Sequence, residues 1–245
     1  MADFQVPDDI LTKIRTYFSL SHSNEPCGAL CIVKGKLRFY PIENHSTVPD
    51  TFSLDPVQYT RVIRHVCMIV HGHSDNCIPS EHDIIQSNIH GIPYLIFNLQ
   101  NYDYDIIWPD AYINLSGKEY KFGVNDCFEA ARKWYMIHGL VFDIRNNWED
   151  DWWEKGFDYF KAERANWGFV PTEHLEYGNL ITFSMGSSGI DNHLGIYIDN
   201  DEFFHHAANR LSCRENLYPT WGEHITGIYK YENSNFRGFS RRQIW

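Results

Sequence analysis

The stretch from Tyr120 to His138 constrains the fold most, because it joins a strong helix signal to a cysteine in the first turn. Asn125 and Asp126 are good helix-capping residues, and the apolar positions after Cys127 recur at helical spacing until Gly139. At a helix N-terminus the unpaired N–H groups and the positive end of the helix dipole favour the thiolate. Cys127 is therefore a candidate nucleophile. Taken alone, a cysteine in this position is more often a small buried apolar residue.

A second segment, residues 192–206, predicts a β-hairpin that carries two histidines. Apolar and small residues alternate after His193, three polar residues interrupt them, and apolar residues resume before His205. The two histidines, at the start of one strand and the end of the other, are expected side by side. This placement suits a general base and the group that orients it, so Cys127, His193 and His205 form a candidate triad. Either histidine alone would equally fit a solvated strand end.

The first half of the chain contains the residue types of a catalytic zinc site. His71 and His73 are two apart on a predicted strand and so share a face, and Ser80 and Asp83 follow at the start of a predicted helix. Two imidazoles and one carboxylate with an open position are a known ligand set for catalytic Zn²⁺. Glu25 is a candidate to accept the proton of metal-bound water. The His-X-His pair by itself is weak support, because surface pairs are common.

The periodicity predicts an α+β chain with two domains, 1–111 and 112–245. The predicted elements of the first domain are helices at 7–20, 55–64 and 80–86, a hairpin at 27–42, and strands at 66–71 and 92–99. Residues 101–118 show little periodicity and are predicted to be a surface linker. In the second domain we expect a small antiparallel sheet with the cysteine helix packed on one side.

Residues 148–172 are rich in tryptophan and acidic residues, and their spacing predicts an amphipathic helix. The favoured interpretation is a lid or core helix. Sugar stacking or partner binding by Trp148, Trp152 or Trp153 is the alternative.

Composition excludes several classes of protein. A hydrophobic content of 43% and an aromatic content of 16% exclude a disordered chain. The formal net charge of −11 and the absence of a basic run argue against nucleic acid as a partner. No apolar run has the length of a membrane span, and the first residues lack the pattern of a secretion signal, so neither is expected. Cysteines in a chain made in the cytosol are expected to stay reduced.

The second half resembles the NlpC-type, papain-like peptidoglycan peptidases. Their pattern has an aromatic–glycine segment, Asp-Cys at the start of a helix, His-X-Gly-Ile-Tyr on a strand, and a polar residue at the end of the next strand. Tyr120, Asp126-Cys127, His193–Tyr197 and His205 match it in order. The resemblance implies a papain-like α+β domain without a cofactor. In that domain Cys127 is the nucleophile, His193 the base and His205 the orienting residue, and Tyr120 lies near the oxyanion.

The first half resembles the JAB/MPN (JAMM-motif) metalloprotease family. The matching pattern is Glu-X-Cys-Gly, then His-X-His, then Pro-Ser-X-X-Asp, then an apolar strand that begins with Pro-Tyr. The resemblance implies an α/β sandwich in which His71, His73 and Asp83 bind Zn²⁺. It also implies that Glu25 is the general acid/base and that Ser80 is a hydroxyl on the oxyanion side. The interval from His73 to Asp83 is shorter than is usual in the family.

Together the two halves resemble the tail assembly protein K family of long-tailed bacteriophages, with GVNDC, DDWWEKG, NHLGIY and FFHHAANRLS as the most specific segments. The resemblance implies a virion tail-tip protein, made in the host cytoplasm, that cuts peptidoglycan stem peptides at the bacterial cell wall during genome delivery. Its implied partners are other tail-tip proteins, namely hub, tape-measure or tip-attachment proteins. Two alternatives stay open: a structural plug or assembly factor with vestigial sites, and a zinc metalloprotease that trims a tail protein.

Overall fold

The structure is a computed structural model that describes residues 4–142, 148–232 and 239. It divides into two compact units: one is Gln5–Ile113, and the other contains Phe4 and the described residues from Asn114 onward. Both units mix helices with a β-sheet. Among the described residues, no helix has both the length and the apolar character needed to cross a membrane.

The first unit is built on a five-stranded sheet in the order β2-β1-β3-β4-β5. Its elements are α1 (Asp8–Leu20), β1 (Cys27–Val33), β2 (Lys36–Ile42), α2 (Pro56–Val62), β3 (Val66–His73), α3 (Glu81–His90), β4 (Tyr94–Asn98), β5 (Tyr104–Ile107) and α4 (Asp110–Ile113). Strands β3 and β4 are parallel, and the other neighbours are antiparallel. Every helix and strand predicted for this half is present. The inner strands β1, β3 and β4 are buried almost throughout, which explains their continuous apolar sequences.

The structure contradicts the predicted linker at residues 101–118. Tyr104–Ile107 form the edge strand β5, which pairs antiparallel with β4, and Asp110–Ile113 form the short helix α4. The four residues of β5 are half-buried or exposed, because an edge strand needs to cover only part of the sheet. A strand this short and this exposed leaves no clear alternation in the sequence.

The second unit has a six-stranded sheet in the order β10-β9-β8-β7-β11-β6. Its elements are α5 (Cys127–Ile137), α6 (Tyr159–Glu163), β6 (Phe169–Pro171), β7 (Leu180–Phe183), β8 (His193–Asp199), β9 (Glu202–His205), β10 (Cys213–Asn216) and β11 (Ile225–Tyr231). All paired strands are antiparallel, and α5 packs against β8, as expected for the cysteine helix. This packing buries Trp134 and Tyr135 completely.

The predicted amphipathic helix over residues 148–172 is wrong. Residues 150–156 form turns, with the backbone N–H of Glu154 donating to the carbonyl of Asp151, and only Tyr159–Glu163 are helical. The backbone of Asp151 (φ 65°) and Gly156 (φ 83°) is left-handed, which interrupts a right-handed helix. The aromatic residues pack as a cluster instead, and Trp152 is buried. The prediction that aromatic residues of this segment pack in the core is supported by the structure, although they do not form the predicted helix.

Candidate functional sites

Cys127 is the first residue of α5, at the position predicted from the sequence. Asp126 caps the helix: its side chain accepts hydrogen bonds from the backbone N–H of Glu129 (3.0 Å) and of Gly123 (2.6 Å). The cap fixes the start of the helix beneath Cys127, whose side chain is 7% exposed. Cys127 and His193 line the same cavity, which has a volume of about 320 Å³.

His193 and His205 meet across the β8–β9 hairpin, with 3.0 Å between His193 Nε2 and His205 Nδ1. The expected pairing needs one correction, because His205 lies opposite Gly195 in the ladder, so the two imidazoles meet diagonally.

Gly195 makes room for an aromatic ring beside His205. A Cβ at this position would lie 2.6 Å from the ring of Phe203, and that ring stacks on His205. The absence of a side chain at 195 therefore leaves room for the ring that supports His205.

Glu215 is a functional candidate that the sequence analysis missed. His205 Nε2 lies 3.0 Å from Glu215 Oε2, and the indole Nε1 of Trp221 donates to the same oxygen at 2.9 Å. Arg210 also forms an ion pair with this carboxylate. In the β9–β10 ladder Cys213 lies opposite His205, so Glu215, two residues further on, shares the face of Cys213. That register was the available signal, but it requires the pairing of the two strands to be known.

The contacts fix which ring nitrogens carry protons. A carboxylate only accepts, so His205 donates from Nε2 to Glu215 and presents a lone pair at Nδ1. His193 then donates from Nε2 to His205 Nδ1, which leaves Nδ1 as the basic nitrogen of His193. His193, which lines the same cavity as Cys127, is therefore in the tautomer that can accept a thiol proton.

The histidines are held in the neutral form. Burial, followed by the neighbouring imidazoles of His205 and His206, lowers the pKa of His193 well below its ordinary value. Burial, together with the neighbouring Arg210 and His206, lowers the pKa of His205 to about 3. Neutral imidazoles are what a proton relay that begins at a thiol needs.

The cavity beside Cys127 has a largely aromatic wall. Its lining includes Tyr120, Phe122, Trp152, Trp153, Met185 and Trp221. The ring of Tyr120 stands edge-on to that of His206, with 5.5 Å between the ring centroids. Tyr120 therefore lies in the same cavity as Cys127 and His193.

The structure also brings together the residues predicted to bind zinc. The distance from His71 Nε2 to His73 Nε2 is 3.0 Å, and Asp83 oxygens lie 3.2 Å from His71 Nε2 and 3.4 Å from His73 Nε2. The carboxylate of Glu25 and the two imidazoles present ligand atoms within 4.8 Å of one another. Ser80 caps α3, and its hydroxyl donates to Asp83 Oδ2 at 2.6 Å.

These distances fit a tetrahedral metal site. Metal–nitrogen bonds of about 2.0–2.1 Å place tetrahedral ligand atoms about 3.3 Å apart, close to the separations among His71, His73 and Asp83. One detail differs from common zinc sites, in which the second ring nitrogen usually donates to a protein group. Nδ1 of His71 is buried and has no hydrogen-bond partner among the described residues. Phe52 stacks on this ring and holds it in place.

Comparison with known proteins gives a family match within the second unit. The model of the NlpC/P60 family matches residues 117–230, the segment that contains Cys127, the β8–β9 hairpin and Glu215. The matched segment accounts for most of this unit, and the NlpC/P60 family is of the cysteine peptidase type.

A particular relative extends the comparison. The tail tip assembly protein K of Escherichia phage lambda is 28% identical over 120 residues, which cover 48% of this chain and 59% of the relative. The chain thus spans less than two thirds of the length of the curated relative that it matches.

Solved structures similar to this chain include the following three proteins. An NLP/P60 family protein similar to lipoprotein from Staphylococcus aureus has a TM-score of 0.36 and 20% identity, over 51% of this chain and 40% of that one. An NlpC/P60 family protein from Bacillus cereus has a TM-score of 0.35 and 16% identity, over 88% and 66%. NlpC1 from Trichomonas vaginalis has a TM-score of 0.41 and 14% identity, over 94% and 99%.

Proposed function

We propose that the second unit is a cysteine endopeptidase in which Cys127 is the nucleophile, His193 the general base, and His205 the residue that orients the base. The observation that carries this proposal is the hydrogen-bonded series from His193 to His205 to Glu215, which begins in the cavity that contains Cys127. The NlpC/P60 match over residues 117–230 supports the same assignment.

The reaction follows from these groups. Cys127 transfers its proton to His193 Nδ1, and the thiolate attacks the carbonyl carbon of the scissile peptide bond. The C–N bond breaks as His193 returns the proton to the leaving amine, which leaves a thioester on Cys127. His193 then takes a proton from water, the hydroxide cleaves the thioester, and the sulfur regains its proton. Tyr120 and the N–H groups at the start of α5 lie on the side that we assign to the oxyanion.

The substrate that we propose is the stem peptide of peptidoglycan, cleaved by a phage tail-tip protein at the bacterial cell wall. The similarity to tail tip assembly protein K of phage lambda supports the location in a virion tail. The partners on this proposal are other tail proteins, such as hub, tape-measure or tip-attachment proteins. The aromatic wall formed by Trp152, Trp153 and Trp221 provides apolar surface for the substrate.

The test is digestion of purified muropeptides by the full chain, followed by chromatography and mass spectrometry of the products. We expect cleaved stem peptides from the native protein and a loss of at least about 10³-fold in kcat/KM for Cys127→Ala. Cys77→Ser, which changes a half-buried cysteine of the first unit, is the matched control and should cleave normally. Equal cleavage by Cys127→Ala would exclude the proposed nucleophile.

A second proposed function belongs to the first unit, because the close approach of His71, His73 and Asp83 fits a metal ion. We propose that these three residues hold Zn²⁺ in a metallopeptidase site that trims a tail protein. Zinc bound there would activate a water molecule for peptide hydrolysis. Glu25 is the residue placed to accept the proton of that water, and Ser80 positions Asp83 through their hydrogen bond.

Metal analysis of the purified full chain tests this second proposal. We expect Asp83→Asn to lose about one equivalent of zinc relative to the native protein. Asp75→Asn is the matched control, because Asp75 lines the same cavity but is exposed and lies outside the ligand set. Identical zinc contents in the native protein and Asp83→Asn would rule out the site.

A further inference from the structure

The outer end of the histidine relay contains a cysteine that the proposed reaction does not use. Cys213 Sγ lies 3.9 Å from His205 Nε2, the same nitrogen that faces Glu215 Oε2 at 3.0 Å. The sulfur, the ring nitrogen and a carboxylate oxygen all lie within 4.8 Å of one another. Cys213 and Glu215 are partly exposed, so solvent reaches the cluster.

We propose that His205, Cys213 and Glu215 form an inhibitory site for a thiophilic divalent metal ion such as Zn²⁺, and that occupancy of this site switches off the Cys127 peptidase. The binding half of this proposal stands on the cluster alone. The inhibition half rests on the proposed peptidase function.

The donor set suits zinc in chemistry and in spacing. One thiolate and one carboxylate neutralise the charge of Zn²⁺, and a neutral imidazole completes three protein ligands with one position left for water. A tetrahedral zinc ion places sulfur and nitrogen ligands about 3.6 Å apart and nitrogen and oxygen ligands about 3.3 Å apart. The present separations of 3.9 Å and 3.0 Å differ from these values by a few tenths of an ångström.

Contacts on both oxygens of the Glu215 carboxylate determine how it can turn toward a metal. Arg210 Nη2 donates to Oε1, while Oε2 accepts from Trp221, from His205 and from Arg210 Nη1. A metal at the cluster replaces the His205 contact on Oε2 and leaves the Arg210 contact on Oε1 in place. The Cys213 thiol gives up its proton when its sulfur binds a metal ion, because the thiolate is the form that acts as a ligand.

Metal binding at His205 Nε2 inverts the tautomers of the relay. His205 loses its Nε2 proton to water and takes at Nδ1 the proton that His193 carries at Nε2. His193 then receives a proton from water at Nδ1, while Cys213 releases one on binding, so the net release is one proton per metal ion. With Nδ1 protonated, His193 cannot accept the proton of Cys127, and the peptidase stops.

Cobalt binding tests the site without reference to activity. Co²⁺ bound to a thiolate gives a sulfur-to-cobalt charge-transfer band. The experiment is a titration of the full-length Cys127→Ala variant with Co²⁺, because this substitution removes the Cys127 sulfur as a possible cobalt ligand. We expect the band in Cys127→Ala and its loss in the double variant Cys127→Ala/Cys213→Ser. The same band in the double variant, or no band in either, would overturn the binding proposal.

Zinc inhibition tests the switch. We expect Zn²⁺ to inhibit muropeptide cleavage by the native chain. Cys213→Ser should retain basal activity, but the zinc concentration for half-inhibition should rise by at least about tenfold. The reason is that loss of a metal ligand weakens binding at least as much as loss of a residue that hydrogen-bonds to a ligand. Cys77→Ser is the matched control and should be inhibited like the native chain. Equal inhibition of Cys213→Ser and the native chain would overturn the switch. If no variant cleaves muropeptides, the proposed peptidase fails, while the cobalt result still decides the metal site.

Discussion

At the residue scale, the chemistry of the second unit depends on which ring nitrogens carry protons. Glu215 sets the tautomer of His205, and His205 sets that of His193, so a carboxylate two contacts away determines whether Cys127 has a base. Trp221 donates to the Glu215 oxygen that faces His205 and keeps the carboxylate in position. The orienting part of the site therefore extends one residue beyond the predicted triad.

Replacement of Glu215 tests this extension. A glutamine amide can donate to His205 Nε2, which favours the opposite tautomers, so we expect Glu215→Gln to lower kcat/KM by at least about tenfold. The loss should stay below the roughly 10⁴-fold that the wrong tautomer of a directly orienting residue can cause. Steady-state kinetics with muropeptides measure it. Glu202→Gln, which changes a partly exposed glutamate of β9 that pairs with Arg214, is the control, and an equal effect of both variants would contradict the assignment.

The pH profile provides a second test at this scale. Because burial and the neighbouring imidazoles of His205 and His206 lower the pKa of His193, the proposed base remains unprotonated as the pH falls below 6.5. We expect the acid limb of kcat/KM to have its midpoint below pH 6.5, and His206→Gln to move the midpoint to higher pH by removing an imidazole whose protonation disfavours that of His193. The kcat/KM profile between pH 4 and 8 measures both shifts. A native midpoint at or above pH 6.5 would contradict this account.

At the scale of elements, three neighbouring strands each contribute one member of the relay. His193 is on β8, His205 on β9 and Glu215 on β10, and the antiparallel register places them in contact from one strand to the next. Helix α5 carries Cys127, the proposed nucleophile, and the Asp126 side chain caps the start of this helix.

Removal of the cap should destabilise the second unit. We expect Asp126→Ala to reduce the free energy of unfolding by about 1 kcal/mol, because the backbone N–H of Glu129 loses its acceptor. Asp126→Asn should be close to the native protein, since asparagine caps as well as aspartate does. Urea unfolding followed by tryptophan fluorescence measures the difference. Equal destabilisation by alanine and asparagine would show that charge rather than capping is what matters at this position.

Local patterns were sufficient to predict the elements that carry the predicted site residues. The start of α5, the β8–β9 hairpin and the His71–His73 strand each follow from spacing within a few residues, and the structure confirms them. The contacts between these elements depend on strand register and loop geometry, which the local pattern does not contain. Glu215 was missed for that reason, because its partner lies on another strand.

The two wrong predictions have local causes. Strand β5 is short and exposed, so it gives no periodic signal and was taken for a linker. Residues 148–172 have helical spacing of aromatic residues, but the left-handed backbone at Asp151 and Gly156 breaks the helix. In both cases pairing or turn geometry overrides the pattern of apolar residues.

At the scale of the whole molecule, the two units each have their own buried apolar cluster. In the first unit this cluster includes Ala29, Ile69 and Tyr94. In the second unit Phe183 and Phe203 belong to the corresponding cluster. Each unit therefore has the core that independent folding requires.

Expression of residues 114–245 alone tests this independence. Because the proposed relay and its supporting core lie within that segment, we expect the fragment to unfold cooperatively and to keep muropeptide cleavage within about tenfold of the full chain. Circular dichroism during heating and the cleavage assay measure the two properties. As a matched control, the same fragment with Cys127→Ala should fold equally well and cleave nothing. A fragment without a cooperative transition would show that the second unit needs the first.

The position of Glu215 on β10, an edge strand of its sheet, separates two properties of the proposed enzyme. The shape of the chamber that receives the peptide is set by tryptophans and by α5, whereas the tautomer of the proposed base is set from the rim of the sheet. Substitutions on β10 can therefore change how readily the Cys127 sulfur reacts without changing the surface that selects the peptide.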